Sequence, residues 1–178
     1  HVSFFFFLNW KLGFIGRNGK GKTTFLKLLQ GKYEYQGTID TKMVFDYFPY
    51  SITEKQMKLC FADLLEEIRP DYELWRVICE LEKLHLETEL LYRPFLTLSH
   101  GERTKVMLAV LFSGEHYFLL IDEPTNHLEQ ESREVVKQYL KQKKGFILVS
   151  HDRELLDACV DHVLVLNRHS IEVQNGNF

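Results

Sequence analysis

The chain has 178 residues, of which 45% are hydrophobic and 26% are charged, so it can bury the core of one globular domain. Its formal net charge of −3 argues against a nucleic-acid or anionic-membrane partner that is recognised through bulk positive charge. The three cysteines, Cys60, Cys79 and Cys159, lack metal-ligand spacing and are typical of reduced thiols in a cytosolic protein. We therefore expect a single domain over residues 1–178, with a cytoplasmic location and no disulfide framework.

The first predicted elements are a strand, a glycine-rich loop and a helix. The run "FFFFL" at Phe4–Leu8 is too short to span a bilayer and predicts a buried strand. No other stretch approaches transmembrane length, so we expect no direct membrane insertion. The segment "KLGFIG" predicts a second strand, and "KTTFLKLLQG" predicts a helix with a glycine stop. Because the chain begins at His1 without an initiator methionine, we expect it to be a fragment.

A helical subdomain is predicted in the middle of the chain. "GTID" and "MVFDYF" predict two short strands, and Pro49 closes the second. "SITE" predicts a capping box between Ser51 and Glu54. The helical patterns "FADLLEEI" and "YELWRVICELEKL" follow around the break at Pro70. We expect a helical subdomain, at about residues 51–112, to be inserted in the core.

Within that subdomain, "LSHGERTK" predicts the start of a further helix, which "KVMLAVLF" continues as a mostly buried segment. Ser99 and Glu102 have the spacing of a capping box, in which each side chain binds a backbone N–H of the first turn. Gly101 lies inside that turn and weakens the helix by up to about 1 kcal/mol relative to alanine. We therefore expect another group to approach its bare backbone.

The last third of the chain alternates between strands and helices. "YFLLIDEP" and "GFILVSHD" predict buried parallel strands, whereas "EQESREVVKQYLKQ" and "RELLDACV" predict helices. "HVLVLNRHSIEVQ" predicts a closing hairpin. The fold class is therefore α/β, with a mainly parallel sheet core, an antiparallel β part and the inserted helical subdomain.

A phosphate-binding loop is predicted between the first sheet strand and its helix. "GRNGKGKT" matches G-x-x-x-x-G-K-[ST] in the strand-to-helix context that the motif requires, which disfavours an ordinary glycine-rich turn. Backbone N–H groups and the helix N-terminus would converge on phosphate oxygens. Lys22 would reach the β and γ phosphates, and Thr23 would ligate Mg²⁺. The predicted nucleotide contacts from this loop are Asn18, Gly19, Lys20, Gly21, Lys22, Thr23 and Thr24.

Three more polar residues follow the ends of predicted strands. Asp122, at the end of "FLLID", would help Thr23 to hold Mg²⁺ and its water shell. Glu123 would polarise the attacking water, although an acid pair at this position could instead cap the next helix. His151 in "LVSHD" would contact the γ phosphate or the water. A lone histidine is more often structural, so this role depends on the neighbouring motifs.

Together these motifs resemble the motif set of ATP-binding cassette (ABC) ATPases, and the resemblance covers most of the chain. It implies that Ser99, Gly101 and Glu102, at their helix N-terminus, contact the ATP held by a second cassette. Two cassettes would then sandwich two ATP molecules, and Gly101 would permit the close approach. Residues 126–128 in "EPTNHLE" resemble the loop that crosses the seam between the cassettes. The implied activity is hydrolysis of ATP with Mg²⁺ and no other metal.

The branch of the family is indicated by "IDEPTNHLE", "SHDRELLD" and the closing "NGNF", which resemble ABC-F proteins. Those are soluble twin-cassette proteins that act on ribosomes, whereas transporter cassettes usually carry an alanine-containing sequence instead of "TNHL". "WKLGFIGRNGKGKTTFLKLLQGKYEYQG" resembles the N-terminal cassette of proteins for resistance to lincosamides, streptogramin A and pleuromutilins. Such proteins dislodge the drug with an interdomain linker, so ribosome contact would involve segments outside this chain. A transporter subunit and an ABC-F translation factor without a drug role are the alternatives.

The chain departs from the family pattern in several places. Tyr50 stands where the family has a glutamine that coordinates Mg²⁺, and a tyrosine cannot supply an amide ligand. Glu129 replaces the usual aspartate at the end of the seam loop. The aromatic residue that stacks on adenine in the family cannot be assigned among Phe4–Phe7. The opening "HVSFFFFLNW" resembles two family strands joined directly, so we expect a connector to be missing between Ser3 and Leu8.

Overall fold

The computed structural model describes residues 4–16, 19–34, 36–167 and 170–176, and within them six strands form one sheet. The strands are β1 Lys11–Gly16, β2 Val44–Phe48, β3 Tyr117–Asp122, β4 Phe146–Val149, β5 His162–Leu166 and β6 Ile171–Asn175. Their order is β2-β3-β4-β1-β5-β6, and every neighbouring pair is parallel except the β5–β6 hairpin. The α/β class with a mainly parallel core and an antiparallel part is confirmed.

The helices lie close to the positions that the sequence predicts. They are α1 Gly19–Leu29, α2 Glu54–Met57, α3 Phe61–Ile68, α4 Leu74–Lys83, α5 His100–Ser113, α6 Gln130–Lys141 and α7 Arg153–Cys159, with 3-10 helices at Thr88–Tyr92 and Phe95–Thr97. The capping box predicted at Ser51 and Glu54 is wrong by two residues. Thr53 caps α2 instead, because "TEKQ" has the same spacing and Gln56 N–H donates to Thr53 Oγ1 at 3.2 Å.

The sheet is buried on both faces, as the unbroken apolar sequences of its central strands require. On one face, side chains such as Leu119 and Leu148 pack with the helices that lie between β2 and β3 in sequence. On the other face, Phe118 and Ile147 pack with Leu26 of α1. Neighbouring residues of β3 and β4 thus point to opposite faces, and the predicted helical subdomain shares one continuous core with the sheet.

Two predicted strands are absent from the described residues of the sheet. Phe4–Leu8 forms no strand: Phe5 and Phe7 are exposed, whereas Phe4 and Phe6 are half-buried. The ring of Phe6 packs 5.1 Å from that of Phe118, measured between centroids. β1 already has β4 and β5 as hydrogen-bonded neighbours, so Phe4–Leu8 contributes apolar packing rather than a ladder. "GTID" is also outside any strand and is exposed.

A buried polar cluster joins the helical segment to the rest of the domain. Glu80 of α4 accepts hydrogen bonds from Lys143, at 2.6 Å, and from Tyr139 of α6. Lys83 also pairs with Glu80 at 3.1 Å. Burial alone would raise the pKa of Glu80, but the hydrogen bonds from Lys143 and Tyr139 outweigh it and hold the pKa below the ordinary value of 4.5. The ionised form of Glu80 therefore stabilises the fold.

Glu80→Gln is expected to lower the free energy of unfolding by about 1–3 kcal/mol at pH 7, because it removes charge-assisted bonds. A carboxyl whose pKa is lower in the folded than in the unfolded state stabilises the fold at pH values above its unfolded-state pKa. This stabilisation is lost as the pH falls through the folded-state pKa. The difference between wild type and variant should therefore shrink below about pH 4, as measured by urea unfolding across pH. Glu134→Gln, which breaks an exposed pair with Lys137, is the control and should change the free energy of unfolding far less than Glu80→Gln does. A Glu80 effect that stays constant with pH would contradict this account.

Candidate functional site

The predicted functional residues converge at the carboxyl edge of the parallel strands. β1 leads into the glycine-rich loop, β3 ends at Asp122, and β4 is followed by His151. Asp122 lies in register with Val149 of β4, and the N–H of Glu123 donates to the Val149 carbonyl at 2.8 Å. Parallel strands that end at one edge form the crevice in which open α/β sheets bind ligands.

A cleft of about 600 Å³ opens at this edge. Its lining includes Thr23, Asp122 and Glu123, which come from two separate sequence motifs. The wall is completed by residues of β2 and the segment after it, of the 3-10 helix at Phe95–Thr97, of α5 and of the loop after β3: Tyr47, Phe48, Pro49, Tyr50, Ile52, Phe95, His100, Arg103, Thr104, Met107, Pro124, Asn126 and His127. The geometry therefore gathers the predicted metal ligands and the predicted base around a single space.

The N-terminal part of α1 has the properties of an anion site. Lys22 is only 7% exposed in the first turns of this eleven-residue helix. A helix N-terminus carries about +0.5 charge and presents unpaired N–H groups, so it fits a phosphate. A Cβ on Gly21 would lie 3.1 Å from Leu166 Cδ2, which shows that the first turn of α1 packs closely against β5. Asn18 lies outside the described residues, and Gly19 and Lys20 are described only as part of α1.

Asp122 is held by two hydroxyl groups. Thr23 Oγ1 donates to Asp122 Oδ2 at 3.1 Å, and the Tyr47 hydroxyl donates to the same oxygen at 2.7 Å. A threonine hydroxyl that donates its hydrogen keeps its lone pairs, so this hydroxyl and carboxylate pair fits a hard cation such as Mg²⁺. Burial, followed by the hydrogen bond to Asp122, raises the pKa of Tyr47 and keeps the phenol protonated.

Glu123 adopts a left-handed backbone conformation, with φ at 50°, which is uncommon for a residue other than glycine. The backbone N–H of His151 donates to Glu123 Oε2 at 3.2 Å, and the His151 ring contacts Oε1 through Nδ1. The Glu123 side chain is 18% exposed, whereas that of His151 is 80% exposed. An oriented carboxylate at the mouth of the cleft can accept a proton from a bound water.

Tyr50 is bound to a different cluster. Its hydroxyl donates to Asp46 Oδ2 at 2.9 Å and accepts a bond from Arg69 at 3.1 Å. Arg69 also pairs with Asp46, and its guanidinium lies 4.0 Å from the ring centroid of Tyr117. Burial and then the charge of Asp46 raise the pKa of Tyr50. The hydroxyl of Tyr50 is thus engaged between β2 and α3, at Asp46 rather than at Asp122.

The N-terminus of α5 is capped as predicted. The N–H of Glu102 donates to Ser99 Oγ at 3.1 Å, and Glu102 Oε1 accepts from the N–H of Ser99 at 2.9 Å. Ser99 is exposed and does not line the cleft, although the next residue, His100, does. His100 Nε2 lies 3.3 Å from the Asn126 carbonyl oxygen, so α5 contacts the predicted seam loop.

Gly101 has a close neighbour within the chain. A Cβ at this position would lie 2.6 Å from Ser132 Oγ of α6, closer than a Cβ contact allows. The absence of a side chain at Gly101 is therefore explained by packing between α5 and α6. Contact with the ATP of a second cassette remains a prediction from the sequence.

Comparison with known proteins decides the family. The sequence model of the ABC transporter family matches residues 1–126. The chain belongs to this family. It is 35% identical to the Bacillus subtilis protein YfmM, described as an uncharacterized ABC transporter ATP-binding protein, over 80% of this chain and 28% of YfmM. It is 31% identical to the ribosome protection protein VmlR of the same organism, over 92% of this chain and 30% of VmlR.

A solved structure, described as an inward-facing metal-chelate type ABC transporter, confirms the fold. It superposes with a TM-score of 0.74 at 24% identity, covering 92% of this chain and 71% of that chain. The family resemblance drawn from the sequence is therefore confirmed, and the chain is an ATP-binding ABC cassette. It spans about 30% of the length of the two relatives named above. In the described part of this cassette, no helix has the length and apolar character needed to cross a membrane.

Two features of the site were missed by sequence reasoning. The sequence predicts that Tyr47 lies in a strand, which is correct, but it does not show the register that places Tyr47 beside β3. It also assigns no role to His100, which lies between Ser99 and Gly101. No short stretch of sequence marks Tyr47 as a site residue, because its role depends on the pairing of β2 with β3.

Proposed function

We propose that this cassette binds MgATP at the cleft and hydrolyses it together with a second cassette, as part of an ABC-F protein that acts on the ribosome in the cytoplasm. The observation that carries the proposal is the convergence of Thr23, Asp122 and Glu123 at one strand edge, beside the buried Lys22. Thr23 and Asp122 belong to separate motifs that are about a hundred residues apart in sequence, and the fold brings their side chains into contact.

Nucleotide binding is assigned to the loop and first turns of α1. Residues 18–24 supply backbone N–H groups, and Lys22 supplies the fixed charge for the terminal phosphates. Thr23 and Asp122 would hold Mg²⁺, which when bound supplies positive charge against the phosphate oxygens. Tyr50 takes no part in this assignment, because its hydroxyl is bound to Asp46.

Hydrolysis is assigned to Glu123 and His151. Glu123 accepts a proton from a water in the cleft, because its carboxylate is held in place by the backbone N–H of His151. The His151 ring contacts Glu123 and is largely exposed, but it does not line the cleft itself; we assign to it a hydrogen bond with a phosphate or with the water. Positioning and charge, rather than covalent chemistry, supply most of the catalysis in phosphoryl transfer.

The second cassette would be contacted through Ser99, Gly101 and Glu102. ABC cassettes act as dimers or paired domains, and the exposed N-terminus of α5 is available to a partner. The contact between His100 and Asn126 joins this helix end to the predicted seam loop, so both elements would meet a partner as one surface.

Gly101→Ala is expected to lower the free energy of unfolding, because the clash of the new methyl group with Ser132 Oγ costs about 1–3 kcal/mol and outweighs the gain of up to about 1 kcal/mol that alanine has over glycine in a helix. Adding Ser132→Ala should restore most of that stability, as followed by thermal unfolding, whereas Ser132→Ala alone is the control. If Gly101 also faces a partner's ATP, the double variant should still fail to form ATP-dependent dimers in sedimentation experiments. Restored dimers would limit the role of Gly101 to packing between α5 and α6.

The ribosome assignment is supported by the relative VmlR, a ribosome protection protein, and by the "TNHLE" loop. We expect the full-length protein with Glu123→Gln to co-sediment with ribosomes when ATP is present, because this variant should hold the ATP-bound state. Fractionation of cells expressing it, with and without ATP depletion, gives the measurement. Recovery in membranes with a transmembrane partner would instead favour the transporter subunit suggested by the description of YfmM.

The drug-resistance role and the housekeeping translation role are distinguished by a second arm of that experiment. The resistance proposal expects expression of the full-length protein to raise tolerance to lincosamides, streptogramin A or pleuromutilins. Ribosome binding without any gain in tolerance would favour the translation factor.

A further inference from the structure

We infer that Tyr47 is a positioning residue of the metal centre, whose phenol fixes the Asp122 carboxylate in the orientation that Thr23 requires. The inference rests on the proposed MgATP function and adds a residue to it. Nothing in the phosphate-loop motif or in the acidic strand end points to this tyrosine.

The geometry places Tyr47 and Thr23 on the same carboxylate oxygen. Both hydroxyls donate to Asp122 Oδ2, at 2.7 and 3.1 Å, and neither of these two bonds occupies Oδ1. Tyr47 reaches this position because β2 is parallel to β3, with Tyr47 in register with Leu120, two residues before Asp122. The tyrosine ring packs against the core on the α1 side of the sheet, so the donor is attached to a rigid element.

A second contact also holds the Tyr47 side chain. The Lys32 ammonium lies 5.8 Å from the centroid of the Tyr47 ring. The phenol is therefore held in place by its position in β2 and by its neighbours, so that its hydroxyl stays directed at Asp122.

The bond has a specific consequence for Thr23. Its hydroxyl has one hydrogen, and while that hydrogen points to Asp122 the oxygen lone pairs are directed elsewhere and can meet a cation. If the Tyr47 donor is removed, one anchor of the carboxylate is lost, and the Thr23 hydroxyl is less firmly oriented. The loss should weaken the contribution of Mg²⁺ to nucleotide binding and leave the contacts of the phosphates with α1 intact.

The test compares Tyr47→Phe with Tyr50→Phe by calorimetric titration with ATP, once in Mg²⁺ and once in EDTA. Each substitution removes a single phenol oxygen. The Tyr47 hydroxyl is bonded to Asp122, whereas the Tyr50 hydroxyl is bonded to Asp46. We expect Tyr47→Phe to lose about tenfold or more of the gain in affinity that Mg²⁺ provides, with affinity in EDTA unchanged. Tyr50→Phe should keep the wild-type gain.

A double-mutant cycle distinguishes an effect that acts through Asp122 from a general effect on folding. In an Asp122→Asn background, Tyr47→Phe should have little further effect on the Mg²⁺ gain, because the two residues act through one bond. Additive losses, or a wild-type Mg²⁺ gain in Tyr47→Phe, overturn the inference while the proposed function stands. Wild-type protein that binds no ATP in either buffer overturns the proposed function and this inference together.

Discussion

Replacing Lys22 by alanine is expected to lower the affinity of the chain for MgATP by about 10- to 100-fold. The lysine is buried in the first turns of α1, where its ammonium would reach the terminal phosphates as a fixed positive charge. Hydrogen bonds to charged groups contribute about 1.5–3 kcal/mol, and 1.4 kcal/mol corresponds to a factor of ten in affinity. Calorimetric titration of the purified variant gives the affinity directly.

Lys27→Ala is the matched control for that experiment. Lys27 lies in the last turn of the same helix, so its loss removes an equal charge far from the phosphate-binding end. We expect it to change the affinity much less than Lys22→Ala does, because its side chain lies in the last turn of the helix and cannot hydrogen-bond to a phosphate held at the first turn. Equal affinities for wild type and Lys22→Ala would show that Lys22 does not bind the nucleotide.

Replacing Glu123 by glutamine is expected to lower the rate of ATP hydrolysis by about 10²- to 10⁴-fold and to leave ATP binding close to wild type. Glutamine has nearly the same shape, and its carbonyl oxygen can still accept the N–H of His151. What it lacks is the ability to take a proton from water. ATP should therefore persist in the cleft, and two cassettes should remain paired around it.

Phosphate release measures the rate of ATP hydrolysis, and analytical ultracentrifugation measures whether two cassettes remain paired. Glu131→Gln, an exposed residue of α6, is the control and should hydrolyse ATP at the wild-type rate. Hydrolysis by Glu123→Gln at the wild-type rate would exclude Glu123 as the proton acceptor. Loss of ATP binding in the same variant would indicate a structural role at the left-handed backbone position instead.

The elements that were predicted correctly from sequence patterns are determined by residues that lie close together in the chain. β3 and β4 are short unbroken apolar runs, which favour buried parallel strands, and the helices α3 to α7 have apolar residues at helical spacing. The capping box at Ser99 and Glu102 was identified because both partners lie within one turn. The acidic end of β3 and the histidine after β4 were found because parallel strands bring their carboxyl ends to one edge.

The features that sequence patterns did not predict come from interactions between distant parts of the chain. Phe4–Leu8 is as apolar as a buried strand, but strand formation also requires a hydrogen-bonded neighbour, and none of the six described strands pairs with this segment. The role of Tyr47 depends on the register of β2 against β3, which fixes its hydroxyl beside Asp122. The contact between Gly101 and Ser132 depends on how α5 packs against the start of α6. None of these three facts has a signature within a short window of sequence.

Hydrogen exchange of the wild-type chain with and without MgATP tests whether ATP binds at the carboxyl edge of the parallel strands. We expect slower exchange in residues 21–26 of α1 and in residues 121–123 and 149–151. The β5–β6 hairpin, at His162–Leu166 and Ile171–Asn175, should exchange at the same rate in both conditions. Unchanged exchange at those three segments under saturating MgATP, or protection confined to another surface, would contradict the account.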